Sequence, residues 1–161
     1  MIKYFILSIL LVGVSLFGSE LTEISEYSIH DGDTLTVVDS NKNKFKIRLY
    51  GIDAPELSQS YGKESAYHLK KLLIGRLFIQ NIGIDKYDRS VSILYCVMNY
   101  GGETIIECVN HRMILDGYAW YYRYTKPVSN SYKFYEDIAK SNKLGLWKDP
   151  NPVEPYKFRK E

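Results

Sequence analysis

The sequence predicts an α+β protein, mainly β, in which a five-stranded antiparallel sheet packs with three helices. Two observations carry this prediction. Runs rich in β-branched and aromatic residues recur five times between short polar or glycine-bearing turns. Apolar residues spaced three or four apart appear in three further segments. A small closed barrel fits strands of this length, and 161 residues are enough for one such domain.

The first three strands are predicted at residues 24–29, 34–38 and 44–49. The dipeptide Asp31-Gly32 separates the first two, and the polar segment 39–43 precedes the third. Both connections are typical of short turns, so the three strands are expected to pair as antiparallel hairpins.

Two later strands are predicted at residues 77–82 and 91–98, on either side of the polar segment 85–89. Residues 99–102, Asn-Tyr-Gly-Gly, are expected to turn the chain out of the last strand. These two segments bring the predicted number of strands to five.

Helical spacing predicts helices over residues 61–74, 104–115 and 131–142. Gly75 is a typical residue at which the first of them would end. The segment 147–155 is rich in proline, and we expect it to run extended along the surface rather than to form a helix or a central strand.

Residues 1–19 have the pattern of a secretory signal peptide, because Lys3 precedes an apolar run that ends at Gly18 and Ser19. An uncleaved membrane anchor is the weaker alternative, since the run is shorter than the ~20 residues of a spanning helix. The protein is therefore expected to be exported and to be secreted or held in the periplasm or cell envelope of a bacterium. The net charge of +2 is small, so nucleic-acid binding would depend on locally placed bases or a bound cation.

Cysteine and histidine side chains give little sign of a metal or nucleophile site. Cys96 is predicted in a strand and Cys108 early in a helix, and their spacing leaves both a disulfide and two buried thiols open. Neither has the neighbouring Cys or His of a zinc site. The three histidines, His30, His68 and His111, are interpreted as structural.

Four carboxylates and an arginine are concentrated around the second and third strands. Antiparallel pairing of these strands would place Asp33 beside Arg48. Converging carboxylates repel one another, and oxygen ligands without His or Cys favour Ca²⁺ or Mg²⁺, while an arginine suits a phosphate ligand. Spacing alone also allows an ordinary hairpin turn and a solvated acidic loop. The five residues are Asp31, Asp33, Arg48, Asp53 and Glu56.

Three motifs, in the same order, resemble the signature of the staphylococcal nuclease (thermonuclease) family. They are Asp31-Gly-Asp-Thr34, Ile47-Arg-Leu-Tyr-Gly-Ile-Asp-Ala-Pro-Glu56 and Asp85-Lys-Tyr-Asp-Arg89. The likeness continues through Gly117-Tyr-Ala119 and Leu144-Gly-Leu-Trp147. It implies one nuclease domain over residues 20–161, with a five-stranded OB-fold barrel, three helices and Ca²⁺-dependent hydrolysis of DNA and RNA.

The resemblance implies a calcium site formed by Asp33, Asp53 and the backbone carbonyl of Ala54. The family often has Thr where this chain has Ala54, but a carbonyl ligand does not depend on the side chain. Asp31 is expected to support this site without binding the metal.

Catalytic roles are implied for Glu56, Arg48 and Arg89. Glu56 would position or deprotonate the attacking water, and the two arginines would grip the scissile phosphate and stabilise its transition state. The family's regiochemistry would leave a 3′-phosphate product.

Substrate contacts are expected from Lys86, Tyr87, Tyr122, Arg123 and Tyr124. The last three would stack on bases, as aromatic rings and guanidinium groups do with single strands. The family commonly has Gly where this chain has Asp88, so this chain carries a negative charge beside Arg89 that opposes phosphate binding.

Two other functions are left open by the sequence. A non-catalytic OB-fold module would bind single-stranded nucleic acid, but it would be expected to lack the acids or arginines that this chain retains. An anchored surface protein would bind calcium structurally without hydrolysis. As a nuclease, the chain is expected to act as a monomer on DNA and RNA, and no stable protein partner is inferred.

Overall fold

The computed structural model describes residues 20–124 and 129–160, so the predicted signal peptide lies outside the described residues. Within those two ranges, no helix is long and apolar enough to cross a membrane. The elements follow one another as β1 (Leu21–Ile29), β2 (Thr34–Asp39), β3 (Lys44–Leu49), β4 (Ile52–Asp53), α1 (Gly62–Leu72), β5 (Arg76–Ile84), β6 (Ser90–Tyr100), β7 (Glu103–Cys108), α2 (Val109–Leu115), β8 (Trp120–Tyr121), α3 (Asn130–Ser141), a 3₁₀ turn (Gly145–Lys148) and α4 (Pro155–Phe158).

The main sheet confirms the predicted mainly β architecture and is consistent with an OB fold. Its strands lie in the order β3-β2-β1-β5-β6-β7, and β3 also pairs with β6. The five predicted strands correspond to β1, β2, β3, β5 and β6. Neighbours in the strand order pair antiparallel as expected, whereas the contact of β3 with β6 is parallel.

The hydrophobic core lies inside this sheet and beneath the helices. In β2 and β3 every second residue points inward, which is the two-residue period of a half-buried strand. Helix α1 reaches the same cluster through Leu69, and α2 reaches it through Met113. The buried strand residues of the cluster include Leu35, Val37, Ile47, Leu49, Leu77, Ile79 and Leu94.

The helix predicted over residues 104–115 is wrong in its first part. Residues 103–108 form β7, which pairs with the end of β6, and α2 begins only at Val109. Gly101 and Gly102 have positive φ values of 60° and 86°. These two glycines reverse the chain into a hairpin, because left-handed backbone is accessible to glycine at little cost.

Cys96 and Cys108 are both free thiols, which decides between the two alternatives that the sequence left open. Cys108 ends β7 and does not lie in a helix. The Cys96 thiol donates to the carbonyl of Leu72 at 2.9 Å. Burial raises the pKa of Cys108 to about 11, so this sulfur is a poor nucleophile at neutral pH.

The tail departs from the extended surface segment that its prolines predict. Trp147 lies in the 3₁₀ turn and is buried, with its ring 4.4 Å from that of Trp120. Residues 149–154 have no helix or strand, but Pro155 then begins α4. A proline suits this first helical position because its missing N–H would have no partner there.

Candidate active site

Strand register brings the predicted acidic cluster together. Thr34 lies opposite Arg48 in the antiparallel ladder of β2 and β3, so Asp33 comes next to that arginine. Nη1 of Arg48 lies 3.0 Å from Oδ2 of Asp33, and Nη2 lies 2.9 Å from Oδ1 of Asp53. The guanidinium group therefore joins two carboxylates that are far apart in the sequence, as the predicted register required.

Asp33 is held by hydrogen bonds from three sides. The backbone N–H of Ala54 donates to Oδ2 at 2.6 Å, and the Thr34 hydroxyl donates to Oδ1 at 3.0 Å. The carboxylate of Asp31 accepts the backbone N–H of Asp33 at 2.9 Å. Asp31 thus shapes the turn behind the site, which agrees with the supporting role expected for it.

Gly32 allows this turn to press against helix α1. A Cβ atom at Gly32 would overlap the side chains of Ser65 and Ala54. The Ser65 hydroxyl donates to the carbonyl of Tyr118 at 2.6 Å, which fixes the helix side of the contact. Close packing against α1 therefore sets the position of the neighbouring Asp33.

Asp53 is placed by the short pairing of β4 with β8, in which it lies opposite Trp120. Asp53 is 1% exposed and Asp33 is 5% exposed. Burial raises the pKa of Asp33 to about 7, although Arg48 acts in the opposite direction. Burial likewise raises the pKa of Asp53, against the opposing effect of its arginine neighbours. Burial disfavours the charged form of both carboxylates, and the neighbouring positive charge of Arg48 counteracts this effect.

The donor atoms of this cluster fit a hard cation. The carboxylates of Asp33 and Asp53 present oxygen atoms, which suit Ca²⁺ or Mg²⁺, and the Ala54 carbonyl stays the predicted third ligand. In the portion of the chain that the structure describes, no three His, Cys, Asp or Glu side chains form a ready metal cluster. Two arginines lie between the carboxylates. Arg48 joins Asp33 to Asp53, and Arg159 joins Asp53 to Glu56.

A cleft of about 800 Å³ adjoins this cluster, although Asp53 and Ala54 do not line it. One side is lined by Asp33, Arg48 and Glu56, and another by Lys86, Tyr87 and Arg89. The predicted catalytic residues Arg48, Glu56 and Arg89 therefore share one cavity. Its volume lies in the range of ordinary ligand pockets.

The connection between β5 and β6 positions Arg89. Nη2 of Arg89 lies 2.7 Å from Oδ2 of Asp85, and the Asp85 carboxylate also accepts the backbone N–H groups of Tyr87 and Arg89. Asp88 lies in the same turn with a left-handed φ of 59°. Glycine adopts this backbone most readily and Asp tolerates it, which is the physical reason that a glycine suits this position.

Among the three predicted stacking residues, Tyr122 lines the cleft, whereas Arg123 and Tyr124 are absent from its lining. Arg123 instead pairs with Glu136 at 3.2 Å and Glu154 at 3.4 Å. The Tyr124 ring stacks on Tyr156 with centroids 3.7 Å apart. Arg123 and Tyr124 thus hold elements of the fold together beside the cleft.

The three histidines have partners away from the cleft lining. Nε2 of His30 lies 2.7 Å from the hydroxyl of Thr36, and Nε2 of His68 lies 2.8 Å from a carboxylate oxygen of Asp116. The His111 ring packs edge-on against Tyr132 with centroids 4.5 Å apart. These contacts agree with their interpretation as structural residues.

Arg159 is the active-site residue that the sequence reasoning missed. Its Nη2 lies 2.9 Å from Oδ2 of Asp53, and its Nη1 lies 2.7 Å from Oε1 of Glu56. Burial lowers the pKa of Arg159, but hydrogen bonds with the two carboxylates outweigh burial and raise it. The only signal in the sequence is the basic and aromatic stretch Tyr156-Lys-Phe-Arg-Lys160, which follows the prolines.

Comparison with known proteins gives a match to a nuclease family and relatives that include two named nucleases. Residues 46–149 match the family model described as staphylococcal nuclease homologue. The chain is 37% identical over 135 residues to a micrococcal nuclease of Shigella flexneri, covering 82% of this chain and 77% of that protein. It is 34% identical over 140 residues to an uncharacterized endonuclease of Haemophilus influenzae, covering 83% and 70%. It is also 32% identical over 136 residues to protein ParB of Escherichia coli, covering 83% and 76%. These matches support a nuclease function.

Proposed function

The chain belongs to the staphylococcal nuclease family, and we propose that it is an exported, calcium-dependent nuclease that hydrolyses phosphodiester bonds of DNA and RNA. The observation that carries this proposal is the convergence of Asp33, Arg48 and Asp53, with Glu56 and Arg89 lining the same cleft. Export rests on the signal-peptide pattern of residues 1–19.

The residues at the cleft have different roles in the proposed hydrolysis. Asp33, Asp53 and the carbonyl of Ala54 would hold a calcium ion, which supplies positive charge that polarises the phosphodiester. Arg48 and Arg89 neutralise the charge that develops on the phosphoryl oxygens. Removing one such donor from an enzyme typically costs about 10²- to 10³-fold in rate.

Glu56 would act on the attacking water, and its position in the cleft lining, with Arg159 joining it to Asp53, supports this role. It accepts a proton as the water oxygen forms a bond to phosphorus. The bond from phosphorus to the 5′ oxygen breaks on the opposite side, this oxygen takes a proton from solvent water to become a hydroxyl, and the phosphate stays on the 3′ oxygen. The product therefore carries a 3′-phosphate end.

A single-strand-binding module without catalysis is the second candidate. The observation that favours it is Tyr122, which presents an aromatic ring to the cleft and could stack on a base. Binding alone does not require two buried carboxylates next to an arginine. Such an arrangement costs free energy to bury, which favours the nuclease.

The decisive experiment incubates the purified protein with plasmid DNA and with RNA in the presence of Ca²⁺, Mg²⁺ or a chelator. Cleavage is expected with Ca²⁺ and not with the chelator. Glu56→Gln is expected to lower the rate by about 10²-fold or more. Glu64→Gln, an exposed glutamate in the first turn of α1, is the matched control and should cleave normally.

Several outcomes would contradict the proposal. Intact substrate in every wild-type reaction excludes a nuclease, and retention of an oligonucleotide without cleavage would establish the binding module instead. Cleavage that persists in the chelator excludes the calcium requirement. Products that a polymerase extends before phosphatase treatment would show that the 3′ end carries no phosphate.

A further inference from the structure

Arg159 binds the two carboxylates on which the proposed chemistry depends. It contacts both oxygens of Asp53, with Nη2 2.9 Å from Oδ2 and both terminal nitrogens 3.2 Å from Oδ1. The same guanidinium group reaches Oε1 of Glu56 at 2.7 Å. Arg159 lies beyond residues 46–149, so the family match does not assign it a role.

These contacts use the lone pairs that a metal ion would need. Oδ1 of Asp53 already accepts from Nη2 of Arg48 at 2.9 Å as well as from Arg159. A carboxylate oxygen has about two acceptor directions, so this atom has none left. A divalent cation bound to Asp53 would also lie close to two guanidinium charges, which would repel it.

Arg159 is better able to move than Arg48. The Arg48 side chain is 14% exposed and projects from β3 between two buried carboxylates. The Arg159 side chain is 38% exposed and follows a helix of only four residues. Arg159 can therefore turn into solvent without disturbing the sheet.

The rest of the tail is anchored by contacts that do not involve Arg159. The side-chain amide of Gln59 donates to the carbonyl of Val153 at 2.6 Å, and the hydroxyl of Tyr124 donates to Glu154 at 2.9 Å. The Tyr156 ring stacks on Tyr124. These contacts keep α4 at the edge of the cleft, so Arg159 stays within reach of the carboxylates after it leaves them.

We propose that Arg159 is an internal counter-cation of the active site, which occupies Asp53 and Glu56 until the activating metal ion displaces it. This inference rests on the proposed calcium-dependent function. It makes the tail part of the metal site, because Arg159 and Ca²⁺ compete for the same carboxylates. Displacement would also free Glu56 to meet the attacking water, so metal binding and release of this carboxylate occur together.

Calorimetric titration with Ca²⁺ tests this competition on purified wild-type protein, Arg159→Ala and Arg159→Lys. Arg159→Ala is expected to bind Ca²⁺ at least about five-fold more tightly than wild type, which is the lower end of ordinary coupling between sites. Arg159→Lys keeps one charge but loses the two-pronged contact, and should give a smaller gain. Lys157→Ala removes the same charge from an exposed position on α4 and should leave the affinity within about two-fold.

Direct observation of the arginine provides a second measurement. The side-chain Nε–H resonance of Arg159 can be assigned because it is missing from the spectrum of Arg159→Lys. We expect Ca²⁺ to shift this resonance toward the position of a solvated arginine. Linkage is reciprocal. If Ca²⁺ displaces Arg159 from the carboxylates, Arg159 must weaken the binding of Ca²⁺ by the same factor.

The outcomes separate this inference from the proposed function. Equal or weaker Ca²⁺ binding by Arg159→Ala overturns the competition, and the proposed function stands if the wild type still cleaves DNA with Ca²⁺. An Nε–H resonance that does not respond to saturating Ca²⁺ also overturns it. Absence of Ca²⁺ binding in all four proteins overturns both proposals.

Discussion

The two sides of the active-site cleft are built in different ways. The acidic side joins residues from the turn before β2, from β3 and from β4, and the carboxylates of Asp33 and Asp53 are buried. The opposite side is a single turn of residues 85–89, in which Arg89 and Asp85 form a pair four residues apart. The first side therefore depends on the whole sheet, whereas the second depends on one local connection.

This difference predicts which substitutions unfold the protein and which only inactivate it. A charge removed from the acidic side leaves a buried carboxylate without compensation, which is expensive. A charge removed from the turn at 85–89 leaves groups that water can reach, so little stability is lost. Catalysis should suffer on both sides, since both arginines face the cleft.

Arg48→Ala is expected to have the largest effect. It should lower the rate of DNA cleavage by about 10²- to 10³-fold, and it should lower the free energy of unfolding by about 3 kcal/mol because Asp33 and Asp53 lose a shared partner. Urea denaturation and initial cleavage rates measure the two effects.

The double variant Arg48→Ala with Asp33→Asn sharpens this prediction. Removing the charge of Asp33 should restore part of the stability but none of the activity. If the double variant were no more stable than Arg48→Ala alone, the unpaired carboxylate would not be the source of the loss.

Arg89→Ala should inactivate the enzyme without unfolding it. We expect a loss of about 10²- to 10³-fold in cleavage rate, while the free energy of unfolding changes by less than about 1 kcal/mol because the pair with Asp85 is local and partly exposed. Arg112→Ala is the matched control, since Arg112 also pairs with an aspartate four residues away, at Asp116. A large loss of stability in Arg89→Ala but not in Arg112→Ala would contradict the prediction that this side of the cleft contributes little to stability.

Tyr122→Ala and Arg123→Ala should have smaller effects, and of different kinds. Tyr122 lines the cleft, so its loss should raise the KM for single-stranded DNA by about tenfold. Arg123 pairs with Glu136 and Glu154. Its loss should leave KM within about two-fold and lower the free energy of unfolding by about 1 to 2 kcal/mol, because both carboxylate partners are buried but keep other hydrogen-bond donors. A raised KM in Arg123→Ala would show that Arg123 contacts the substrate, as the sequence predicted.

Much of the site could be predicted from the sequence, because its determinants are local or periodic. Alternating residues defined β2 and β3, and their short connection set a register in which Asp33 had to lie beside Arg48. The turn at residues 85–89 could be predicted for the same reason, since Asp85 organises Arg89 across only four residues. Family motifs then assigned chemical roles to positions that pattern alone could not distinguish from ordinary turns.

The sequence alone predicted less well where pairing with another segment decides the structure. Residues 104–108 carry apolar residues at helical spacing, yet pairing with the neighbouring β6 makes them a strand. Arg123 lies in an aromatic stretch that is typical of a stacking surface, yet it pairs with buried Glu136 and does not line the cleft. In both cases a partner outside the segment itself outweighed the local preference.

The sequence by itself therefore determined five of the six strands of the main sheet, the register of its first hairpins and the identity of the central acids and arginines, because short-range periodicity and local motifs encode them. Only the tertiary structure decided that Arg159 reaches Asp53 and Glu56, which are more than 100 residues away. No local pattern encodes that contact. The tail packs against Gln59 and Tyr124, and this packing places Arg159 next to Asp53. Asp53 is a buried carboxylate, which a positive partner stabilises.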